Sequence, residues 1–237
     1  MKSKNSSTKI NAFVSCIIVV DEQTILKDSY VERTCSILEN TFLDYELILI
    51  RSRGDKRNDF KFPDLSKETL SHTIIINLSR SLDRMNALAS GLDIANGDYI
   101  INLDPSYEEN PDCIKSMYDL SQESNDVVQL ISNTPHPNFS FRILEKIFNI
   151  IYNKFSSTRI PQNLHESFLI SRRALNSMLE MRESIRFLDG LISYIGYNRE
   201  YIHKSIEPNP NEKLRDRLHS YKIGLVSFTD MLSKIIY

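Results

Sequence analysis

Four short runs of β-branched and aliphatic residues set the frame of the chain: Ala12 to Val20, Tyr45 to Ile50, Thr73 to Leu78 and Tyr99 to Leu103. The first, Phe-Val-Ser-Cys-Ile-Ile-Val-Val at its core, is apolar on both of its alternating faces. Such a strand needs cover on two sides, which is the situation of a parallel sheet flanked by helices. The segments between the runs supply the helices. Asp21 to Thr24 open one that reaches about Thr41, with Val31, Cys35 and Leu38 on its buried side, and Leu82 to Ala95 form another. A shorter helix fits near Ser66 to Ser71. This β-α-β alternation predicts a doubly wound α/β fold with a central, mostly parallel sheet.

The fourth run follows the turn Asn96-Gly97-Asp98 and meets the breaker Pro105, so it delivers Asp104 to the carboxyl end of its strand. In open α/β sheets ligands bind at that edge. Asp104, with Glu108 four residues on, is a candidate site for a divalent cation held against a phosphate. The same residues also suit an ordinary capped turn before Pro111.

Downstream, helices are expected over Asp112 to Gln122, Phe141 to Phe155, Arg173 to Met181 and Phe187 to Ile195. Strands are expected over Asp126 to Ile131, Phe168 to Ser171 and Arg199 to His203. Residues 1–11 read as a flexible tail, 12–205 as the α/β domain and 206–237 as a helical extension set off by Pro208 and Pro210. In that extension Leu214, Leu218, Tyr221, Leu225, Phe228, Leu232 and Ile235 recur at intervals of four and three, opposite a face rich in lysine and arginine. The stripe suits packing on its own domain, a membrane surface or a partner helix, and a homo-oligomer stays open.

Composition removes other classes. With 237 residues, 25% charged and a net charge of −2, the chain has no basic stripe for nucleic acid. Cys16, Cys35 and Cys113 have neither disulfide nor metal spacing, which points to a reduced, cytoplasmic protein. The apolar run Phe13 to Val20 is too short to span a bilayer, and neither a signal peptide nor a membrane span is expected. His72, His136, His165, His203 and His219 lack the spacing of a zinc site.

Two longer blocks carry a family likeness. Leu78-Ser79-Arg80-Ser81-Leu82-Asp83-Arg84-Met85-Asn86-Ala87-Leu88-Ala89-Ser90-Gly91-Leu92-Asp93-Ile94-Ala95-Asn96-Gly97-Asp98 leads into the Asp104 strand, and Arg186-Phe187-Leu188-Asp189-Gly190-Leu191-Ile192-Ser193-Tyr194-Ile195-Gly196-Tyr197 follows far downstream. Together they resemble family 2 glycosyltransferases, above all the branch that loads sugars onto polyprenyl phosphates, such as dolichol-phosphate mannose synthases and bactoprenol glucosyltransferases. The resemblance implies a GT-A fold and transfer of a sugar from a UDP- or GDP-sugar to a lipid phosphate or surface glycan, at the cytoplasmic face of a membrane. It implies Mg²⁺ or Mn²⁺ on Asp104 and Glu108, diphosphate on Arg80 and Arg84, and nucleotide contacts from Val20, Glu22 and Arg51. Asp104 and Glu166 are the implied catalytic residues, while Arg142 and Lys146, on the amphipathic helix after the fifth strand, suit either acceptor-phosphate ligands or a solvated face. The family's Asp-x-Asp reads Asp104-Pro105-Ser106 here, and Arg51-Ser52-Arg53-Gly54 replaces Asp-Asp-Gly-Ser. The Arg that relatives carry after their acidic residue is displaced to Arg172 and Arg173. These departures weaken the metal site and leave a second reading, a catalytically inactive relative acting as a binding or assembly partner.

Overall fold

The computed structural model describes residues 9–20, 26–51, 67–78, 84–107, 110–156, 159–181, 187–207 and 214–228. Its strands are β1 (Ile10–Val20), β2 (Phe42–Arg51), β3 (Thr73–Asn77), β4 (Tyr99–Leu103), β5 (Val127–Ser132), β6 (Leu164–Ser171) and β7 (Arg199–Lys204). Its helices are α1 (Asp28–Thr41), α2 (Lys67–Ser71), α3 (Arg84–Ile94), α4 (Cys113–Ser121), α5 (Phe139–Phe155), α6 (Arg172–Glu180), α7 (Leu188–Tyr194) and α8 (Leu214–Phe228).

The strands form one sheet in the order β3-β2-β1-β4-β6-β5-β7. β6 pairs antiparallel with β4 and β5, while the other pairings are parallel. The mostly parallel α/β sheet is the expected fold class. The two faces follow directly from alternation along β1. Val14, Cys16, Ile18 and Val20 pack with Val31, Cys35 and Leu38 of α1 and Ile114 and Met117 of α4. Ile17 and Val19 face Ala87, Leu88 and Leu92 of α3 together with residues of α6 and α7. Gly91 marks the closest approach of α3 to the sheet: a Cβ there would lie 2.5 Å from Ile50 Cδ1 and 3.1 Å from Ile17 Cγ2. Cys16, Cys35 and Cys113 are free thiols buried in the first of these layers. Burial pushes the Cys16 thiol well up, and pushes Cys35 up to about 11.

Two expected starts shift by four residues or more. α1 begins at Asp28, because Lys27 is extended (φ −85°, ψ 141°) and Leu26 is already outside the helix; Asp21 to Thr24 lie outside the described residues. β6 starts at Leu164 rather than Phe168, since its polar opening His-Glu-Ser is held by pairing of Leu164 with Ile131 across an irregularity in β5.

The reversal of β6 decides where α5 lies. β5 runs with β4, so it ends at the edge where β4 delivers Asp104, and antiparallel β6 begins at that same edge. α5 therefore leaves and returns to one edge instead of crossing the sheet. β7 is parallel to β5 and also ends there, and the following α8 packs on α5, with Tyr221 stacked on Phe148 at 4.0 Å. Phe148, Tyr152, Ile160, Phe187 and Tyr221 make a third small core under this pair. The amphipathic C-terminal helix thus turns Tyr221 and Gly224 onto its own domain, while Leu214 and Leu218 stay exposed.

Candidate active site

Asp104 leaves the end of β4 as expected, and its carboxylate is held by local backbone and by α3. Ser106 donates its N–H to Oδ1 (3.1 Å) and its hydroxyl to Oδ2 (2.6 Å). Arg84, in the first turn of α3, donates Nη2 to Oδ1 (3.0 Å), Nε to Glu166 Oε2 (2.5 Å) and Nη1 to the Val19 carbonyl (3.1 Å). The structure thus brings Asp104, Arg84 and Glu166 together from three separate elements. Two carboxylates on one guanidinium leave one formal negative charge in this trio.

His165 joins them, with Nε2 3.6 Å from Asp104 Oδ2. Its Nδ1 accepts the Ser167 N–H (3.2 Å), so the neutral ring carries its proton on Nε2, facing Asp104. Burial holds the His165 ring below the usual imidazole range, even though Asp104 and Glu166 pull the other way. Burial also opposes charge on Asp104, but Arg84 first, then His165 and Ser106, hold its carboxyl below the usual range.

A buried polar bracket fixes the turn. The Asp104 N–H donates to Ser167 Oγ (2.9 Å), and Asn110 Nδ2 donates both to Ser167 Oγ (2.7 Å) and to the Asp104 carbonyl (2.7 Å). Asn102 Nδ2 reaches the Glu166 carbonyl (2.7 Å). The sequence offered no local signal for His165, Ser167 or Asn110, because each meets Asp104 or its turn only through tertiary folding.

Val20 and Arg51 are register partners at the carboxyl ends of β1 and β2, at the same edge. Glu22, Arg80 and Glu108 lie outside the described residues. Arg142 and Lys146 are exposed on α5. Arg172 and Arg173 are a correction: they sit at the far end of β6, away from Glu166. Arg172 donates to the Ala95 (2.7 Å) and Gly97 (2.6 Å) carbonyls, and Arg173 pairs with Asp126. They brace the opposite edge of the sheet, because they follow the carboxyl end of the one reversed strand.

Residues 16–179 match the family model described as glycosyl transferase family 2. The chain belongs to glycosyl transferase family 2. It is 30% identical over 184 residues to an undecaprenyl-phosphate 4-deoxy-4-formamido-L-arabinose transferase of Enterobacter sp., covering 76% of this chain and 56% of that protein. It is 25% identical over 177 residues to an uncharacterized glycosyltransferase of Synechocystis, covering 74% and 55%. The chain thus spans little more than half the length of these relatives. In fold it resembles the glucosyl-3-phosphoglycerate synthase of Mycobacterium tuberculosis solved with Mn²⁺, UDP and phosphoglyceric acid, with a TM-score of 0.62 and 12% identity over 92% of this chain and 80% of that one. The family's paired carboxylates are reduced here to Asp104, with Ser106 in the second position donating to it rather than ligating beside it. Among the described residues no group of three His, Cys, Asp or Glu side chains is placed to hold a metal ion. The residual negative charge around Asp104 nonetheless suits a cation that completes its shell with water and phosphate oxygens.

Proposed function

We propose that the chain transfers a sugar from a nucleoside diphosphate to a lipid-phosphate acceptor at a membrane surface. The observation that carries this reading is the convergence of Asp104, Arg84 and Glu166 at the carboxyl edge of a family 2 sheet. Val20 and Arg51 lie on the nucleotide side of that edge, and Arg51 offers donors to a phosphate or to acceptor atoms of a base. Arg84 is the guanidinium that would exchange its carboxylate partners for the oxygens of the departing diphosphate. Mg²⁺ or Mn²⁺ would be held by Asp104, with Glu108 as a second ligand, and when bound would supply Lewis-acid neutralisation of the diphosphate. Glu166 and His165 face the acceptor side. A phosphate acceptor is already an anion, so these groups align it more than they deprotonate it.

The acceptor side has a distinctive surface. Phe139 (71% exposed), Ile143, Ile147 and Ile150 (57%) recur along one outer face of α5. Arg142, Lys146 and Lys154 flank them. An apolar stripe with cationic borders at the catalytic edge suits the surface of an anionic bilayer, with Arg142 and Lys146 as ligands for the acceptor phosphate. Among the described residues no helix is long and apolar enough to cross a membrane. The buried free thiols agree with a position on the cytoplasmic face.

Calorimetric titration with UDP and GDP, with and without Mn²⁺, tests the donor half. Metal-dependent binding of one nucleotide is expected. Silence toward both at millimolar ligand would instead favour a non-catalytic binding or assembly partner, a reading supported by the engagement of both Asp104 oxygens with Ser106 and Arg84.

A further inference from the structure

Asp189 belongs to the second of the two family-like blocks and has no part in the site described so far. It stands in the first turn of α7, on the face of the sheet covered by α3, α6 and α7. Burial pushes its carboxyl up to about 6; Glu166 adds to the rise, while Gln129, Arg217 and Arg199 act in the opposite sense. Its hydrogen-bond partner Gln129 stands on β5, separated from β4 by β6, and so on the side of the trio away from β1 and β2.

Its neighbour Gln129 comes from the middle of β5. Gln129 is register partner to Phe168, which shares a face of β6 with Glu166 two residues earlier. Its Nε2 donates to Asp189 Oδ1 across a long 3.4 Å. The residue is 1% exposed, and its Oε1 is buried without a hydrogen-bond partner. Among the described residues, two kinds of acceptor therefore stand side by side with too few donors: an amide oxygen with none and a carboxylate with one weak one. Buried polar atoms are almost always paired, so an orphan acceptor next to an under-bonded carboxylate calls for a donor from outside the chain.

The missing partner must bring O–H or N–H groups, tolerate a neighbouring carboxylate, and extend from the position proposed for the diphosphate, at the end of β4, across β6 toward β5. The hydroxyls of a sugar ring meet all three conditions. We infer that Gln129 and Asp189 form the subsite that reads hydroxyl groups of the sugar carried by the nucleotide, and so set sugar specificity. The inference rests on the donor reading above and extends it to two residues on separate elements.

The test compares epimeric donors on the full chain with Mn²⁺ present: UDP-glucose against UDP-galactose, and GDP-mannose against GDP-glucose, with UDP and GDP as references. Wild type is expected to prefer one epimer at least tenfold. Asp189→Asn and Gln129→Met are expected to bind the bare diphosphate within twofold of wild type while the epimer preference collapses toward one. A preference retained in both variants overturns the subsite, as does an equal loss for bare and sugar-bearing nucleotide, which would mark a merely structural pair. A wild type that binds bare diphosphate without epimer preference also overturns it and leaves ordered water as the occupant. Failure to bind any nucleotide removes the donor reading itself, and the subsite with it, and is distinguished by the reference titrations.

Discussion

At the amino end of β4, Arg172 is spent on the carbonyls of Ala95 and Gly97, and Arg173 on Asp126, which also accepts from Ser171 Oγ at 2.7 Å. At its carboxyl end one guanidinium serves two carboxylates and a neutral histidine faces Asp104, and two strands away Gln129 Oε1 is buried without a hydrogen-bond partner. Both edges hold arginine and aspartate in similar amounts. They differ in whether the polar groups are matched within the chain. A cavity of about 280 Å³ opens at the amino edge beside Asp98, Tyr99, Arg172 and Arg173, yet its cations are already paired, so concavity and unmet charge lie at opposite ends. On the proposed function, the edge with unmet electrostatic demand is the one that binds.

The strongest break in this comparison is expected from Arg84→Met. Both partners of Arg84 would lose a charge-assisted bond, and Asp104, whose side chain is only 14% exposed, would keep a buried charge with weaker support. Breaking such a pair costs on the order of 3 kcal/mol. Because the fold holds the Asp104 pKa below its unfolded value, this contribution is present above about pH 4 and fades as pH falls through the lowered value. Urea unfolding should therefore show a wide gap between variant and wild type at pH 7 and a narrow one in acid. Diphosphate affinity should drop roughly 100-fold, equivalent to about 2.7 kcal/mol. Undiminished affinity would remove Arg84 from the donor site.

Asp189→Asn is expected to act in the opposite direction on stability. A folded pKa of about 6 against an unfolded value near 3.8 means the fold favours the protonated carboxyl. Wild-type stability is then full below about pH 4, declines as pH rises to about 6, and stays lower above that. The groups that set this are Glu166, Gln129, Arg217 and Arg199 together with burial. The neutral variant lacks the decline, so at pH 7 it should be more stable by up to about 3 kcal/mol, with the difference vanishing near pH 4. A residue kept at the expense of stability fits a binding role. Parallel pH profiles for the two proteins would contradict a fold that favours the protonated Asp189 carboxyl.

Gly97→Ala probes the closed edge. A Cβ there would stand 2.5 Å from the Ser15 backbone nitrogen and 2.9 Å from the Phe13 carbonyl oxygen. Neither atom can yield without moving β1, so a loss of about 1 to 3 kcal/mol is expected by denaturant titration. Nucleotide affinity of the folded variant should not change, since no polar group of the carboxyl edge is touched. Impaired binding at unaltered stability would show that the two edges are not independent.

These residues also show what the sequence could and could not reveal. The central strands were legible because their apolar runs are local, Asp104 because it ends one of those runs before Pro105, and Arg84 because it sits in a continuous family-like block. Gly97 and Asp98 belong to the same block, yet their work is structural. Ser15 Oγ accepts the Gly97 N–H (2.7 Å) and itself donates to Glu46 (2.6 Å), while the Asp98 N–H meets the Phe13 carbonyl (2.7 Å). A motif read as one unit thus divides between the two edges. The direction of β6 was not legible, because strand polarity is a property of connections rather than of composition. With it went the contacts of His165 and Ser167 with the Asp104 turn, the location of Arg172 and Arg173, and the placing of α5 at the carboxyl edge of β4.

The smallest effect on the fold is expected from the outer face of α5, where Ile143 and Ile147 are 42% and 49% exposed. Changing both to glutamate removes little buried surface, so stability should stay within about 0.5 kcal/mol per site. Membrane affinity should respond far more, because an apolar contact is lost and two anions are set among Arg142, Lys146 and Lys154. Sedimentation with vesicles containing phosphatidylglycerol should show the wild type bound and the double variant at least tenfold weaker, with both proteins weaker on neutral phosphatidylcholine. Equal binding of the two proteins would move the membrane contact away from α5 and toward the exposed Leu214 and Leu218 of α8. Absence of wild-type binding would mean that the catalytic edge meets its acceptor in solution, and the apolar stripe would then have to be covered by another protein surface.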